Sequence, residues 1–436
     1  MRAFRSMVMI GVGVMLLAAG AARAEQVKLK VAVSHPILLA GQKQTAYLKV
    51  GLTGIPLVVA EKRAPINVAI VLDRSGSMSG DKIRKAKEAA ILAIHQLSPD
   101  DIVSVVAYNH SVTVLVPATK VSDKHAIYAA IDRLHAGGTT ALFAGVSKGG
   151  HEVRKFLTEN RVNRVILLSD GLANVGPSSP QALAALGSSL IKEGISVTTI
   201  GLGLGYNEDL MFKLAHASEG NHVFVESSAH LARIFTREFG DLLSVVANEV
   251  EVEITCAEGI RPVRVLGRAA DISGQTVTSK LNQLYGKQEK YILLEVEVAK
   301  MSAEHKLQAA EVAVSYQDVA TKRAARLSGS ASVAFSESAK LVKSHANQEV
   351  MVAAVEQIAA DNNVRAMVLR DQGKVSAARK VLLSNERYLN DNATRYKSEK
   401  LRNYGKTQKE DLDNLSPGKW KKRRKVMRDM QFEMMH

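Results

Sequence analysis

The sequence predicts an α/β protein: a doubly wound, mostly parallel sheet inserted in a β-sandwich and followed by a helical C-terminal region. Three patterns carry that expectation. Between residues 66 and 248, short apolar runs alternate with helical stretches, the order of a parallel sheet crossed by helices. On either side, residues 25–65 and 249–337 hold stretches such as VKLKVAV, TAYLKVGL, EVEVEITC and AAEVAVSY, whose alternation marks half-buried strands. From residue 338 to 436 the apolar spacing turns helical. The 436 residues have room for about three domains at roughly 150 residues each. At 46% hydrophobic and 23% charged, the composition excludes wholesale disorder, collagen and a polytopic membrane protein.

Residues 1–24 read as a signal peptide. Arg2 and Arg5 precede an apolar run from Met7 to Gly20, and Ala22-Arg23-Ala24 forms a small-residue cleavage site before Glu25. The expectation is export, to the periplasm or the medium, with an uncleaved anchor as the alternative. Cleavage removes three arginines from a chain of net charge +15 and leaves it strongly basic. Outside the cytoplasm that charge points to anionic lipid, envelope polymer or acidic protein, and away from nucleic acid.

Residues 25–65 and 249–337 are read as one sandwich split by the α/β domain, with two separate β units as the alternative. Cys256, the single Cys, lies in phase with Val250, Val252 and Ile254, as a small buried hydrophobe. One Cys builds neither a disulfide framework nor a thiolate zinc site within a chain. Within 66–248, Asn67 to Leu72, Ile102 to Tyr108, Val165 to Leu168 and Ile195 to Ile200 are expected as strands, several apolar on both faces. His110 to Val114 is expected to pair back on its predecessor as an edge hairpin. The helical stretches run from Asp81 to Leu97, Asp123 to Leu134, Ala141 to Leu157, Pro180 to Glu193, Asp209 to Ala217 and Ala229 to Val246. Past Ser338, Met351, Val355 and Ile358, then Val375, Ala378 and Leu382, recur at helical spacing about a break at Gly373. Six Lys and Arg fall between Lys419 and Lys425, namely Lys419, Lys421, Lys422, Arg423, Arg424 and Lys425, around the only Trp, Trp420. That run reads as a solvated helix or, more sharply, as a docking patch for an anionic membrane or polymer.

Chemistry concentrates in VLDRSGSMSG. Asp73, Ser75 and Ser77 follow directly on an apolar strand, and Gly76 and Gly80 let alternate side chains converge. One carboxylate and two hydroxyls suit a hard cation with part of its shell left open. Counting excludes the competitors. An EF-hand would need Gly at Met78 and Glu at Arg84. A serine-hydrolase elbow would put its nucleophile at Met78, and no G-x-x-x-x-G-K-[ST] loop is present at this turn. Gly201 to Gly205 reads G-L-G-L-G, with Tyr206 where a dinucleotide fingerprint needs its third Gly. Two further loops belong with the first: Thr139 and Thr140 follow a Gly pair in AGGTTALFAG, and Asp170 ends another central strand in LLSDGLANVG. All three loops lie at carboxyl ends of strands, where a doubly wound sheet assembles its ligand site.

In these loops the sequence resembles the von Willebrand factor A family, over about residues 66–248. The family's metal-ion-dependent adhesion site pairs a D-x-S-x-S loop with a Thr of a second loop and an Asp of a third. The resemblance implies metal ligands Asp73, Ser75, Ser77, Thr139 and Asp170, with Thr139 preferred to Thr140 because it directly follows the Gly pair. It implies Mg²⁺, or alternatively Mn²⁺ or Ca²⁺, whose coordination a carboxylate of a partner protein completes. Arg74 is a candidate selector of acidic ligands, and Asn174 a candidate brace for the third loop. The order of β segments around the domain also looks like exported bacterial proteins of this family and, distantly, inter-α-trypsin inhibitor heavy chains. The functional expectation is a non-enzymatic, metal-dependent binding, adhesion or assembly module. The alternatives are an accessory subunit of an envelope enzyme or secretion system, and a structural envelope protein with a stabilising metal.

Overall fold

The computed structural model describes residues 26–57, 63–158 and 160–435, so the expected signal peptide lies outside the described residues. The chain opens with strands β1 (Val27–Val33), β2 (Ile37–Leu39) and β3 (Gln44–Gly54). The α/β domain follows with strands β4 (Ile66–Asp73), β5 (Ile102–Tyr108), β6 (Val112–Lys120), β7 (Val162–Ser169), β8 (Ile195–Leu202) and β9 (His222–Val225). Its helices are α1 (Asp81–His95), α2 (Lys124–Asp132), α3 (Leu142–Arg154), α4 (Pro180–Ile191), α5 (Glu208–Ala217) and α6 (Leu231–Leu243). The sheet order is β6-β5-β4-β7-β8-β9, parallel throughout except for the antiparallel β5–β6 hairpin at one edge. Every residue of β4, β5, β7 and β8 is buried, because helices cover both faces and the INVAIVL-type runs have apolar side chains for each. The sequence reading overlooked β9, whose four residues, HVFV, are too few for a periodicity to register.

Strands β10 (Val245–Cys256), β11 (Ile260–Leu266), β12 (Asp271–Ser273), β13 (Thr276–Tyr285), β14 (Glu289–Val298), β15 (Lys306–Asp318) and β16 (Arg323–Ser336) complete the β region. They close on the N-terminal strands in two sheets, β1-β3-β14-β11 and β12-β13-β10-β15-β16-β2. β3 pairs with β14 over ten residues, and one core joins Val27, Leu48 and Val50 to Val252, Val312 and Val333. The flanks are therefore one split sandwich. Its first returning strand begins at Val245, inside the stretch expected to be helical to Val246. Cys256 is buried in this core, and burial pushes its thiol up to about 11.

The sandwich meets the α/β domain at the amino ends of the sheet strands. Arg164, fully buried in β7, donates to Gln283 Oε1 at 2.6 Å, to the Tyr285 hydroxyl and to Thr198 Oγ1 at 3.3 Å. A cleft of about 930 Å³ opens beside this junction, between Arg161 and Glu193 on one side and Glu249 and Lys280 on the other.

The C-terminal region holds α7 (Ala339–Ser344), α8 (Gln348–Asp371), α9 (Val375–Arg395), α10 (Glu399–Asp413) and α11 (Pro417–Met435). Gly373 turns α8 into α9 with φ +77°, as its position predicts. Helix α8 lays Val350, Ala353 and Ala354 on Leu266 and Leu293 of the sandwich. Helix α11 corrects the reading of the basic run as a docking patch. Trp420 is 9% exposed and donates to Asp371 Oδ1 at 2.9 Å. Arg423 pairs with Asp411 and Glu410, and Arg424 with Glu208, Asp209 and Asp371. Lys425 is buried on Glu208 and the Tyr206 carbonyl, and Lys422 faces Glu226. Only Lys419, Lys421 and Lys422 of the run stay exposed. The positive charges thus answer carboxylates of α5 and α8 that are distant in sequence and of the neighbouring α10, and little remains for an anionic surface.

Candidate metal centre

The first loop leaves the end of β4 and reaches α1 through one short turn, Gly76–Met78. Asp73, wholly buried, accepts from the Ser75 amide at 2.8 Å and from Ser169 Oγ at 2.7 Å. Burial raises its pKa above the ordinary carboxylate value, the Ser75 and Ser169 hydrogen bonds oppose that, and the Asp170 charge adds to it. A nearby cation would relieve this cost. Ser75 Oγ lies 3.0 Å from Ser77 Oγ, and Ser77 donates to Asp170 Oδ1 at 2.6 Å. The Lys82 ammonium, from the first turn of α1, takes Asp170 Oδ2 and donates to the Ser77 carbonyl at 3.2 Å.

The second loop, between α2 and α3, is bolted to the first by backbone. Gly76 N donates to Gly138 O at 2.9 Å and Gly137 N to Arg74 O at 2.7 Å. Gly138 has φ +83°, and a side chain there would run into His110 and Asn109. The structure does not bring Thr139 into the cluster: it is exposed, whereas Thr140 is 4% exposed. A methyl group added at Gly171 would lie 3.1 Å from Thr140 Oγ1, 3.3 Å from Ser77 Oγ and 3.7 Å from Ser75 Oγ. Those three hydroxyls therefore converge beside Asp170, and the preference for Thr139 is corrected to Thr140. The Gly pair does not decide the facing residue: Gly138 takes a left-handed φ of +83°, and the side chain that directly follows it is exposed.

Asn174 accepts from Thr140 N at 2.8 Å through Oδ1, and its amide and that of Val175 donate to Thr140 O at 3.1 and 3.3 Å. It ties the third loop to the second. Arg74 is half-buried beside the site; its amide donates to the Tyr108 carbonyl at the end of β5 at 2.8 Å, and its carbonyl accepts from Gly137 N of the second loop. Sequence reasoning missed Ser169 and Lys82. Ser169 was visible as the residue before Asp170 in LLSDG; Lys82 gave no signal, since only the helix geometry carries its ammonium back to a loop 88 residues away in sequence. It also missed the β8–α5 loop, where a side chain on Gly205 would meet the Asp170 carbonyl at 2.5 Å.

The assembled donors are oxygen atoms: two carboxylates, three hydroxyls and adjacent carbonyls. Such a set favours a hard divalent cation over zinc or copper. Among the described residues no group of three or more His, Cys, Asp or Glu is gathered as a metal cage.

Comparison with known proteins bears on the fold that carries this site. The von Willebrand factor type A domain profile matches residues 67–237. The uncharacterized protein sll0103 of Synechocystis is 32% identical over 42% of this chain, and YfbK of Escherichia coli is 27% identical over 45%. The matches span 43% and 34% of those relatives' lengths. Inter-alpha-trypsin inhibitor heavy chain H3 of mouse is 28% identical over 41% of this chain and 20% of its own. Among solved structures, a von Willebrand factor type A protein from Catenulispora acidiphila superposes with TM-score 0.70 at 18% identity, covering 90% of both chains. The ArnB paralog VWA2 from Sulfolobus acidocaldarius gives 0.64 at 18% identity, over 94% of this chain and 98% of its own. These two show that the fold extends beyond the α/β domain to nearly the whole chain.

Proposed function

We propose, from the premise that residues 67–237 are a von Willebrand factor type A domain, that this chain is an exported, non-enzymatic binding module. Its partner is a protein whose acidic residue is gripped through a divalent cation, Mg²⁺ first, held by Asp73, Ser75, Ser77, Thr140 and Asp170. The observation that carries the reading is the convergence of the Ser75, Ser77 and Thr140 hydroxyls on the edge of Asp170. When bound, the ion supplies a positive centre for an incoming carboxylate. The chain's own groups prepare its seat. Asp73 fixes the first loop through Ser75 and Ser169, and Asn174 holds Thr140 in place. With two carboxylates, one lysine and a doubly charged ion, the centre keeps a net positive charge to offer.

A purely stapling metal is the weaker reading, because backbone hydrogen bonds already join the first loop to the second and the second to the third. No described helix is long and apolar enough to cross a membrane. Calorimetric titration of Mg²⁺ and Mn²⁺ tests the proposal. The unaltered chain is expected to bind one ion, and Asp73→Ala and Asp170→Ala to lose at least tenfold in affinity while keeping their circular dichroism. Equal ion binding by Asp170→Ala would overturn it. Retention of an envelope protein with Mg²⁺ but not with chelator, by the unaltered chain alone, would identify the partner.

A further inference from the structure

Two leucines stand outward at the candidate metal centre, although their own loops bury neighbouring residues. Leu172, two residues past Asp170, is 58% exposed, more than any other exposed large hydrophobic among the described residues. Next to it, Ala173 packs inward against the core beneath α3 and α4. Gly171, just before it, passes directly over the Thr140 and Ser77 hydroxyls, so Leu172 leaves the chain at the rim of the cluster. Leu204, in the β8–α5 loop, is 37% exposed. Its neighbour Gly205 is pressed against the Asp170 carbonyl, which puts Leu204 on the same rim.

The β8–α5 loop is held from behind. Lys425 of α11 donates to the Tyr206 carbonyl at 2.6 Å and sits 4.1 Å above the Tyr206 ring, while Tyr206 itself is 2% exposed. The opposite flank is basic, with Arg74 half-buried and Lys82 on Asp170. The surface around the centre is therefore apolar at the β7–α4 and β8–α5 loops and cationic at the β4–α1 loop.

We propose that this rim selects a protein segment in which an acidic residue stands within one or two positions of a large apolar side chain, the carboxylate entering the centre and the apolar group covering Leu172 and Leu204. The inference rests on the cation-binding reading above and names the partner chemistry for the same site. A phosphate or a polysaccharide would satisfy the charge but leave both leucines in water. Apolar contacts beside a desolvated charged anchor are where protein interfaces concentrate their affinity.

The test is a display library of randomised heptapeptides with a fixed central Asp or Glu, selected on the full chain in Mg²⁺ and eluted with chelator. Leu, Ile, Val, Phe or Met is expected to be enriched within two positions of the acid. The double variant Leu172→Ser, Leu204→Ser should bind a selected peptide about tenfold more weakly, with unchanged Mn²⁺ affinity and circular dichroism. An acid-only consensus, or equal binding by the double variant, overturns the rim while leaving the cation reading intact. Recovery of the same peptides on Asp170→Ala, or no chelator-eluted peptides at all, removes both.

Discussion

At the scale of single residues, Lys82 is the group that most alters how the centre behaves. Its ammonium occupies one oxygen of Asp170, so a divalent ion bound as proposed would have to compete with a tethered group of like charge. Lys82→Met is expected to raise Mg²⁺ and Mn²⁺ affinity about tenfold, read by calorimetric titration. Unchanged or weaker binding would show that Lys82 orders the loop more than it competes. Thr139 and Thr140 make a parallel point. Both residues were legible, but which hydroxyl lies beside Ser75 and Ser77 is set by how the second loop packs on the first and third, which sequence does not display.

Among elements, α11 is where sequence reading and structure part most. A run of Lys and Arg usually marks a solvated face, yet here α11 packs on β9 and α5 with its cations on Glu208 and Asp209. His222 of β9 lies under it, 6.3 Å from the Phe212 ring and 6.4 Å from Phe432, with its Nδ1 2.9 Å from Thr199 Oγ1. Burial, reinforced by the charges of Arg428 and Lys425, lowers its pKa from 6.5 to about 3. The unfolded chain therefore takes up a proton below about pH 6.5 that the folded chain refuses. The contribution is complete above that pH and is lost as pH falls toward about 3.

Asp429 of α11 acts in the opposite sense. Burial raises it to about 7, so its contribution is complete below the unfolded value of 3.8 and fades as pH rises toward 7. The two slopes offset each other between these limits, and the informative measurement is a difference. Relative to the unaltered chain, His222→Phe should gain melting temperature on acidification from pH 7 to pH 4, and Asp429→Asn should gain it on the reverse change. A pH-independent difference for either variant would show that the group does not titrate on unfolding.

For the whole molecule, the sandwich is the frame and Arg164 its fastening. The α/β domain is inserted between strands that must find one another across about 240 residues, since β3 pairs with β14 only after the whole inserted domain has intervened. Arg164→Met leaves the Gln283 oxygen and the Tyr285 hydroxyl buried without their donor, at a cost on the order of 3 kcal/mol. Denaturant unfolding should show that loss with the Mg²⁺ affinity of the centre unchanged, because the fastening and the centre lie at opposite ends of β7. A variant as stable as the unaltered chain would assign the coupling to the helices instead.

The sequence by itself determined the alternation of strands and helices, the D-x-S-x-S loop and its two companion loops, and the β texture of both flanks. These are local: period-two and period-3.6 patterns and short motifs are written along the chain, and the loops fall at strand ends that the patterns mark. Only the tertiary structure decided that the flanks close as one sandwich, that Thr140 and not Thr139 joins the centre, that Lys82 reaches Asp170, and that the basic helix is neutralised from within. Each of those is a matter of which residues far apart in sequence come to pack together. Charge and polarity reveal that a group needs a partner, and only the packed chain supplies which one.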